Sequence, residues 1–470
     1  MSSPVILLFT DDLRLADNPT VAAAMASGRA IVPVFVDDPV RSARRTRGAG
    51  AMWLRRSLDA LDASLQTRGS RLIRRTGAAP EVLAALAREI GADTVFRSRR
   101  RWPEHLATDS TMDAALAEAG VRVVTRDVEL LHDPAEVTSA AGTPYTVFSP
   151  FARTAREHLH LGGLGGAPAS IPAPESWPES HVPAPDLRPG DDDQLDAGGW
   201  EPGEAGARDR LDRFLADALA DYADERDVPG RRGTSMLSPH LRHGEISAAR
   251  VWTAAEEAGC AEPFLRQLLW REFAYNLLEA FPHTVERPLR DGFSTFPWSR
   301  DDEGLASWQR GETGFPMVDA GMRELAATGW MHNRSRMVTA SFLVKDLLLP
   351  WQSGAAWFAQ GLFDADTANN TFGWQWVAGS GADAAPYVRV FNPATQGTRF
   401  DADGSYVRRW LPELAAVPDR WIHHPWEAPA DVLARAGVTI GCEYPAPIID
   451  HAEARRRALA VFAALKRAAP

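Results

Sequence analysis

Residues 71–96 read RLIRRTGAAPEVLAALAREIGADTVF, and this stretch indicates how the N-terminal third of the chain folds. Two short apolar or β-branched runs, Arg71–Arg74 and Thr94–Phe96, flank the longer segment Pro80–Ile90. The apolar residues of that segment recur with a spacing close to the roughly 3.6 residues of a helical turn. The stretch therefore predicts a strand, a helix and a second strand.

The same alternation of strand and helix patterns extends in both directions from this stretch. Further strands are predicted at Val5–Phe9, Ala30–Val36 and Val121–Thr125, and a further helix at Ala51–Gln66. Strands that alternate with helices along a chain are typical of an open parallel sheet covered by helices. No G-x-G-x-x-G follows the first strand, so a dinucleotide, if one is bound, is expected outside this domain.

The strand signal largely disappears after residue 205. Between 162 and 205 the residues Gly, Pro, Asp and Ser dominate, which predicts a long irregular connection over the surface. We therefore expect an α/β domain over residues 1–132, a linker over 133–205 and an all-α domain over 206–470. The helices expected in the second domain are Arg208–Asp224, Ala248–Glu257, Phe264–Ala280, Met317–Ala327, Arg334–Leu349 and Ala355–Gln360.

Composition narrows the class of protein. Of the 470 residues, 45% are hydrophobic and 24% are charged, which is ordinary for a globular protein. A formal net charge of −11 argues against unspecific coating of nucleic acid, although it leaves room for one basic cleft on an acidic body. Cys260 and Cys442 lie far apart, which argues against a metal cluster or a disulfide framework and suits a reducing cytoplasm. We expect neither a secretion signal nor a membrane-spanning segment.

Four polar clusters in the C-terminal half are candidates for chemistry, namely Thr234–Ser238, Trp270–Phe273, Trp330–Met337 and Asp364–Trp376. Hydroxyls and free N–H groups at the start of a helix suit a pyrophosphate, although such residues often only cap the helix. The other clusters also allow simpler interpretations: a solvated helix face, a structural His332, or a capped structural helix. No Ser/His/Asp combination has the spacing of a nucleophilic site, and no His/Cys/Glu cluster has metal-ligand spacing.

Long stretches of the sequence resemble the cryptochrome/DNA photolyase family, and in particular its class I cyclobutane-dimer photolyases. The strongest matches are TGWMHNRSRMVTASFLVKDLL from residue 328, ANNTFGWQWVAGSGADAAPYVRVFNP from residue 368 and YVRRWLPEL from residue 406; FTDDLRLADN and GTSMLS also match. The resemblance is weakest in the linker and around 97–110. It implies a Rossmann-like α/β antenna domain, a long linker and an all-α domain that holds FAD.

The resemblance also implies an activity, that of a deoxyribodipyrimidine photo-lyase. Its partner would be DNA that contains cyclobutane pyrimidine dimers, and we expect a monomer in the cytoplasm without membrane contact. A dimer flipped out of the duplex would receive an electron from light-excited reduced FAD. The alternative is a cryptochrome-like blue-light photoreceptor that uses the same flavin and tryptophans without repair, but we expect no long signalling tail after the helical domain.

Several residues match the flavin-binding positions of the family. Asn370 takes the place that faces flavin N5, where an Asp would resemble a plant-type cryptochrome, so the amide favours repair. The flavin-binding residues implied by the resemblance are Tyr222, Thr234, Ser235, Met236, Leu237, Ser238, Phe264, Arg271, Arg336, Asp364, Asp366 and Asn370.

A second group of residues matches positions around the damaged DNA. Trp270 and Trp376 match two aromatic residues that sandwich the damaged bases, and Asn333 and Met337 match pocket residues between cofactor and lesion. In enzymes for the six-four photoproduct the latter two positions resemble histidines, so this sequence favours cyclobutane dimers. The candidates for contacts with DNA phosphates are Arg226, Arg334, Lys345 and Arg389.

Three tryptophans match the electron-transfer chain of the family. Trp374, Trp351 and Trp298 would lead from the flavin to the surface, although packing alone would also accept tryptophan at these positions. Gln267 departs from the family pattern, because many relatives have a Glu there that forms a hydrogen bond with the lesion. An amide can still donate and accept hydrogen bonds, so we expect Gln267 to contact the lesion.

The antenna pocket is a second departure from the family pattern. Many relatives carry an Asn-Arg-Arg-Tyr-Glu type run there, whereas this chain has Ser98, Arg99, Arg100, Arg101 and Trp102. A folate antenna is therefore disfavoured, and a deazaflavin, or no second chromophore, is expected instead.

Overall fold

The structure is a computed structural model that describes residues 3–38, 48–101, 103–127, 130–181, 191–259, 261–387 and 389–468. Some residues named in the sequence analysis lie outside the described residues, namely Trp102, Cys260 and the linker residues 182–190. Cys442 is exposed.

The N-terminal domain is built on a five-stranded sheet. Its strands are β1 Val5–Phe9, β2 Ile31–Asp37, β3 Ile73–Thr76, β4 Thr94–Ser98 and β5 Arg122–Arg126. The order across the sheet is β3-β2-β1-β4-β5, and every neighbouring pair is parallel. Each strand begins and ends within two residues of its prediction, so the predicted parallel α/β domain is confirmed.

Helices cover both faces of this sheet. In β1, Val5, Leu7 and Phe9 pack with one helix layer, while Ile6 and Leu8 pack with the other. All five residues of β1 are buried, which explains why the strand is continuously apolar rather than alternating. The helices of this domain are Pro19–Ala26, Ala49–Gln66, Ala79–Ile90 and Pro103–Glu118.

The chain beyond β5 is helical, as predicted, and in the described residues it carries one isolated β-bridge between Ile440 and Tyr444. None of the described helices is both long and apolar enough to cross a lipid bilayer. The helices are Phe148–Glu157, Asp191–Gly198, Glu204–Asp217, Tyr222–Glu225, Ser238–Arg242, Ala248–Ala258, Glu262–Ala280, Asp302–Arg310, Pro316–Thr328, Asn333–Ser341, Trp351–Gly361, Thr367–Ala378, Pro393–Phe400, Ser405–Trp410, Asp419–Ile422, Ala430–Ala436 and His451–Ala468.

The segment predicted as one helix, Arg208–Asp224, forms two. A helix over Glu204–Asp217 ends first, and a short one follows at Tyr222–Glu225. Leu219 between them is buried in the same hydrophobic cluster as Tyr222. The chain therefore bends here so that both side chains enter the core.

The helix predicted over Arg334–Leu349 also ends early. The α-helix Asn333–Ser341 gives way to a π-helical turn over Phe342–Asp346, all of whose residues are buried. The last four residues of the α-helix, Val338–Ser341, are buried as well, so this part of the chain runs through the interior of the helical domain. Lys345 is consequently buried together with its apolar neighbours.

The predicted linker is only partly irregular. Asp191–Gly198 forms a helix, and Leu195 and Trp200 pack in one cluster with Trp53 of the α/β domain and Trp330 of the helical domain. This part of the connection is therefore anchored to both domains. The boundaries at residues 132 and 205 stay a prediction.

The two domains also meet along the segment that follows β1. Arg242 Nη1 donates to Asp11 Oδ1 at 2.8 Å, and its Nε donates to the backbone carbonyl of Ala365 at 2.7 Å. Arg250 forms a bidentate ion pair with Asp17, with both N–O distances at 2.7 Å. The hydrogen bond from Arg242 to Ala365 supports the backbone between Asp364 and Asp366, the two acidic residues predicted to bind flavin.

Candidate functional site

The loop Thr234–Ser238 presents hydroxyl groups at the start of a short helix. All of its residues are partly exposed except Leu237, whose side chain is buried in the helical core. Met236 has a φ of +50°, which is uncommon for a residue with a side chain. The Ser238 hydroxyl oxygen accepts a hydrogen bond from Trp330 Nε1 at 3.2 Å, so the end of the loop is held in place.

A guanidinium that the sequence did not single out lies beside this loop. Arg210 Nη1 is 3.6 Å from the Met236 sulfur, and the guanidinium lies over the Trp200 ring at 4.6 Å. Burial, followed by the charges of Arg213 and Arg232, lowers the pKa of Arg210 to about 10. Its Nε is buried without a hydrogen-bond partner in the described residues. A half-buried cation beside hydroxyls and backbone N–H groups suits a diphosphate, so the loop fits that part of FAD.

The two carboxylates predicted to bind flavin are oriented by other side chains. Asp364 accepts two hydrogen bonds from Arg336, at 3.1 and 2.8 Å. Asp366 accepts a hydrogen bond from the Tyr275 hydroxyl at 2.5 Å and caps the N-terminus of the helix Thr367–Ala378. Charge-assisted and capping bonds of this kind hold a side chain in one orientation. The described residues hold no group of three or more His, Cys, Asp or Glu side chains that could bind a metal ion.

Arg271 is connected to Asp366 through Tyr275, a residue that the sequence did not single out. Its guanidinium lies over the Tyr275 ring at 4.8 Å and pairs with Glu272 at 2.9 Å. Glu272 is fully buried and also accepts a hydrogen bond from the backbone N–H of Leu131 at 2.7 Å. The interpretation of Arg271 and Glu272 as a solvated helix face is therefore wrong.

The amide of Asn370 also has a defined orientation. Its Nδ2 donates to the backbone carbonyl of Ala355 at 2.9 Å. The nitrogen is thus engaged by the protein, and the predicted position opposite flavin N5 stays a prediction.

Tyr222 and Phe264 lie in the hydrophobic core of the helical domain. Their ring centroids are 5.4 Å apart in an edge-to-face arrangement, and both rings contact Phe214. The Arg226 guanidinium lies over the Tyr222 ring at 5.6 Å. The two aromatic residues therefore support the site from the core side, and their direct contact with the cofactor stays a prediction.

A chain of polar contacts joins three residues predicted to bind DNA. Gln267 Oε1 accepts a hydrogen bond from Arg226 Nη2 at 3.3 Å, and Gln267 Nε2 donates to the Pro263 carbonyl at 3.2 Å. Asp227 lies between two arginines, 2.9 Å from Arg334 Nη2 and 4.0 Å from Arg226 Nε. The sequence did not single out Asp227, yet it links Arg226 to Arg334. We call Gln267, Arg226, Asp227 and Arg334 the polar chain.

The residues predicted to form the lesion pocket lie on the helices Glu262–Ala280, Asn333–Ser341 and Thr367–Ala378. Asn333 Nδ2 is 3.8 Å from the Met337 sulfur, as their spacing of four residues predicts. Trp376 is partly exposed whereas Trp374 is buried, so the two indoles point in different directions. Trp270 is also partly exposed and can present part of its ring to a ligand.

A buried carboxylate supports the start of the helix that carries Asn333. Glu324 Oε2 accepts hydrogen bonds from the backbone N–H of His332 at 3.0 Å and from the Tyr406 hydroxyl at 2.7 Å. Burial raises the pKa of Glu324 to about 7 and lowers the pKa of His332 to about 4. His332 Nδ1 accepts from the backbone N–H of Arg334, which agrees with a structural histidine that caps a helix.

One predicted phosphate contact is wrong. Lys345 is 1% exposed, and its ammonium donates to the backbone carbonyl of Arg389 at 2.8 Å and lies 5.2 Å from the Tyr387 ring centre. Burial lowers the pKa of Lys345 to about 7. This burial keeps the Lys345 side chain away from any DNA, whereas Arg389 is exposed.

The three tryptophans predicted to transfer electrons belong to one hydrophobic cluster or pack against it. Trp374 and Trp351 belong to one hydrophobic cluster and are each 2% exposed. Trp374 packs on Gly354, where an added Cβ atom would lie 2.0 Å from the indole Cη2. Trp298 is partly exposed at the margin of this cluster and contacts the Phe296 ring at 4.3 Å. Their role in electron transfer stays a prediction.

Arg101, one of the residues that disfavoured a folate antenna, is engaged in ion pairs. It contacts Asp127 at 2.8 Å and Glu279 of the helix Glu262–Ala280 at 2.9 Å. The side chain thus bridges the α/β domain to the helix that carries Trp270.

Comparison with known families identifies both halves of the chain. The family described as DNA photolyase matches residues 5–175, and the FAD binding domain of DNA photolyase matches residues 264–464. The chain is 44% identical over 480 residues to the deoxyribodipyrimidine photo-lyase of Agrobacterium fabrum, with 99% of each covered. It is 36% identical over 473 residues to Cryptochrome-1 of Arabidopsis thaliana, with 96% of this chain and 69% of that protein covered. These matches define a photolyase-type α/β domain followed by a FAD-binding helical domain.

The chain therefore belongs to the DNA photolyase/cryptochrome family. Its structure is similar to that of a bacterial class III photolyase from Agrobacterium tumefaciens, with a TM-score of 0.95, 44% identity, and 99% of this chain and 98% of that chain covered. The predicted family and fold are confirmed. The finer assignment to class I is not supported, because this relative is a class III photolyase.

Proposed function

We propose that this protein repairs cyclobutane pyrimidine dimers in DNA with an electron from light-excited reduced FAD. The observation that carries the proposal is that single helices contribute to both groups of site residues. Arg334 joins the polar chain through Asp227. Arg336, two residues later, pairs with Asp364, and both of these residues are predicted to bind flavin. A lesion held by the first group would therefore lie close to a flavin held by the second.

The helix Glu262–Ala280 repeats this arrangement. Gln267 belongs to the polar chain and Trp270 is partly exposed. Arg271, which is predicted to bind flavin, contacts Tyr275, and Tyr275 donates a hydrogen bond to Asp366. Because these residues lie within about one helical turn, a shift of the helix would move both groups together. A flavin and a lesion bound by these residues would therefore keep a constant separation.

The mechanism assigns separate tasks to these residues. When bound, FAD in its reduced form supplies the photoexcited electron that opens the cyclobutane ring. Arg226, Arg334 and the exposed Arg389 place positive charge where DNA phosphates would pass, which positions DNA without reading its sequence. Trp270 and Trp376 offer ring surface to the flipped bases. Stacking recovers roughly 1–3 kcal/mol per base, enough to offset the few kcal/mol of unstacking.

The cofactor-binding residues have tasks of their own. The loop Thr234–Ser238 and Arg210 would hold the diphosphate of FAD. The Arg336–Asp364 pair and Asn370 would face the ring system, where fixed hydrogen-bonding groups tune the charge of a reduced flavin.

The test is light-dependent repair by the purified protein. We expect bound FAD in the absorption spectrum, and loss of thymine dimers from ultraviolet-irradiated DNA under blue light but not in darkness. The double variant Trp270→Ala/Trp376→Ala should keep the flavin and lose repair. Binding to irradiated DNA without light-dependent reversal would support the cryptochrome-like photoreceptor instead.

The class of photolyase, the antenna, the oligomeric state and the cellular location are part of the same proposal. Similarity to the Agrobacterium structure supports repair of the class III type. We propose that the α/β domain carries a deazaflavin antenna, or no second chromophore, and that the protein works as a monomer in the cytoplasm. Mass spectrometry of ligands released from protein made in its native host tests the antenna, and stoichiometric methenyltetrahydrofolate would overturn it. Light scattering tests the monomer.

A further inference from the structure

The indole of Trp270 lies flat against a second aromatic ring. The ring centroids of Trp270 and Phe148 are 3.5 Å apart, and their planes differ by 7°. Phe148 is fully buried, whereas Trp270 is partly exposed. Phe148 covers one face of the indole and the Phe372 ring lies 5.7 Å away at 33°, so the exposed part of Trp270 is what these two rings leave uncovered.

This geometry is held by neighbouring side chains. Two aromatic rings left to themselves prefer an offset or edge-to-face arrangement to a close face-to-face stack. The Arg266 guanidinium lies over the Phe148 ring at 4.6 Å, and its positive charge is attracted to the electron-rich ring face. Phe273 packs edge-on against both rings, 5.9 Å from Phe148 and 5.8 Å from Trp270.

The stacking partner comes from a separate part of the chain. Phe148 is the first residue of the helix Phe148–Glu157, whereas Arg266 and Trp270 lie four residues apart on the helix Glu262–Ala280. Side chains at this spacing share one helix face. The Phe148 ring, from another helix, therefore contacts both side chains of that face.

We propose that Phe148 is a positioning residue for Trp270, and that it holds the indole ready to stack on a flipped pyrimidine dimer. This inference rests on the proposed function, because it requires that Trp270 contacts the lesion. Without the stack, the indole could adopt other rotamers and would have to be ordered when the lesion binds. Ordering one such side chain weakens binding by roughly 3- to 10-fold.

The experiment compares Phe148→Leu with Phe151→Leu. Phe151 is also fully buried and lies one turn later on the same helix. Both variants remove one buried ring, so both should lower the melting temperature. The ring contacts of Phe151 are with His132, Tyr145, Phe148 and Phe273.

Six quantities are measured on the FAD-loaded protein: FAD content, melting temperature, the affinities in darkness for a thymine-dimer oligonucleotide and for its undamaged counterpart, and KM and kcat for light-driven repair. We expect Phe148→Leu to weaken dimer binding by roughly 3- to 10-fold and to raise KM for repair, with kcat, FAD content and undamaged-DNA affinity unchanged. Phe151→Leu should lower only the melting temperature. Phe148→Tyr, which keeps the ring, should bind the dimer with an affinity close to that of wild type.

The outcomes separate the inference from the function on which it rests. Equal loss of dimer affinity in both leucine variants, or no loss in Phe148→Leu, would overturn the positioning role. If Phe148→Leu does not fold, Phe148→Met is compared with Phe151→Met by the same criteria. Wild-type protein that does not prefer dimer DNA would overturn the proposed function itself.

Discussion

Gln267 offers a direct test of how this protein holds a lesion. Without DNA, its amide accepts a hydrogen bond from Arg226 at 3.3 Å and donates one to the Pro263 carbonyl at 3.2 Å. Gln267 is thus a half-buried member of the polar chain rather than a side chain free in solvent. Substitution by Ala removes both hydrogen bonds and leaves Arg226 without this acceptor.

The size of the effect depends on whether Gln267 contacts the lesion. A hydrogen bond contributes about 0.5–1.5 kcal/mol to stability, so the loss of both bonds in Gln267→Ala should lower the free energy of unfolding by about 1–3 kcal/mol. If the amide also pairs with a buried polar edge of the dimer, its loss should weaken dimer binding by about 1–3 kcal/mol. This corresponds to roughly 5- to 150-fold in the dissociation constant.

Gln267→Glu separates geometry from charge. A carboxylate would form an ion pair with Arg226 in place of the present bond between a guanidinium and an amide oxygen, but could not donate to the Pro263 carbonyl or to a thymine carbonyl. It would also repel the negative charge of a dimer radical anion. We expect the repair yield of the Glu variant to vary with pH around the ordinary range of a carboxylate, and that of wild type to change little there.

The assay measures dimer affinity in darkness and repair quantum yield with chemically pre-reduced protein. Undamaged DNA is the control for general loss of binding, and Arg226→Ala with its double variant completes a thermodynamic cycle. If Gln267→Ala and Gln267→Glu match wild type in both affinity and yield, Gln267 only faces solvent at the cleft rim, and the reasoning is wrong.

Three further predictions concern the interior of the helical domain. Burial raises the pKa of Glu324 from 4.5 to about 7, so its contribution to stability is complete below about pH 4.5 and is lost as pH rises through about 7. Glu324→Gln, which still accepts from Tyr406, should make urea unfolding less dependent on pH across this window, and an unchanged dependence would contradict the assignment. Trp374→Phe should slow photoreduction of oxidised flavin while pre-reduced protein still repairs; Trp308→Phe, a buried neighbour whose ring centroid is 6.2 Å away, is the control, and unchanged photoreduction would remove Trp374 from the path. Gly354→Ala should lower the free energy of unfolding by about 1–3 kcal/mol, because the new methyl group meets the Trp374 ring, and an unaltered thermal melt would show that the ring can move aside.

The sequence by itself determined the class of fold and the family. Strand β1 is recognisable because a strand buried on both faces must be apolar throughout. The helix Glu262–Ala280 was predicted, with its start two residues late at Phe264. The contact between Asn333 and Met337 follows from a spacing of four residues on one helix. All three depend on local geometry, which the order of residues encodes directly.

Only the tertiary structure decided which polar and aromatic side chains meet. Asp227 and Tyr275 look ordinary in the sequence, yet each connects residues from separate segments. Lys345 looked like a phosphate ligand, but the π-helical turn buries it beside Tyr387. Phe148 belongs to the predicted linker and still lies flat on Trp270. Burial and choice of partner depend on long-range packing, which hydrophobic periodicity does not encode, so these contacts could be recognised only once the chain was folded.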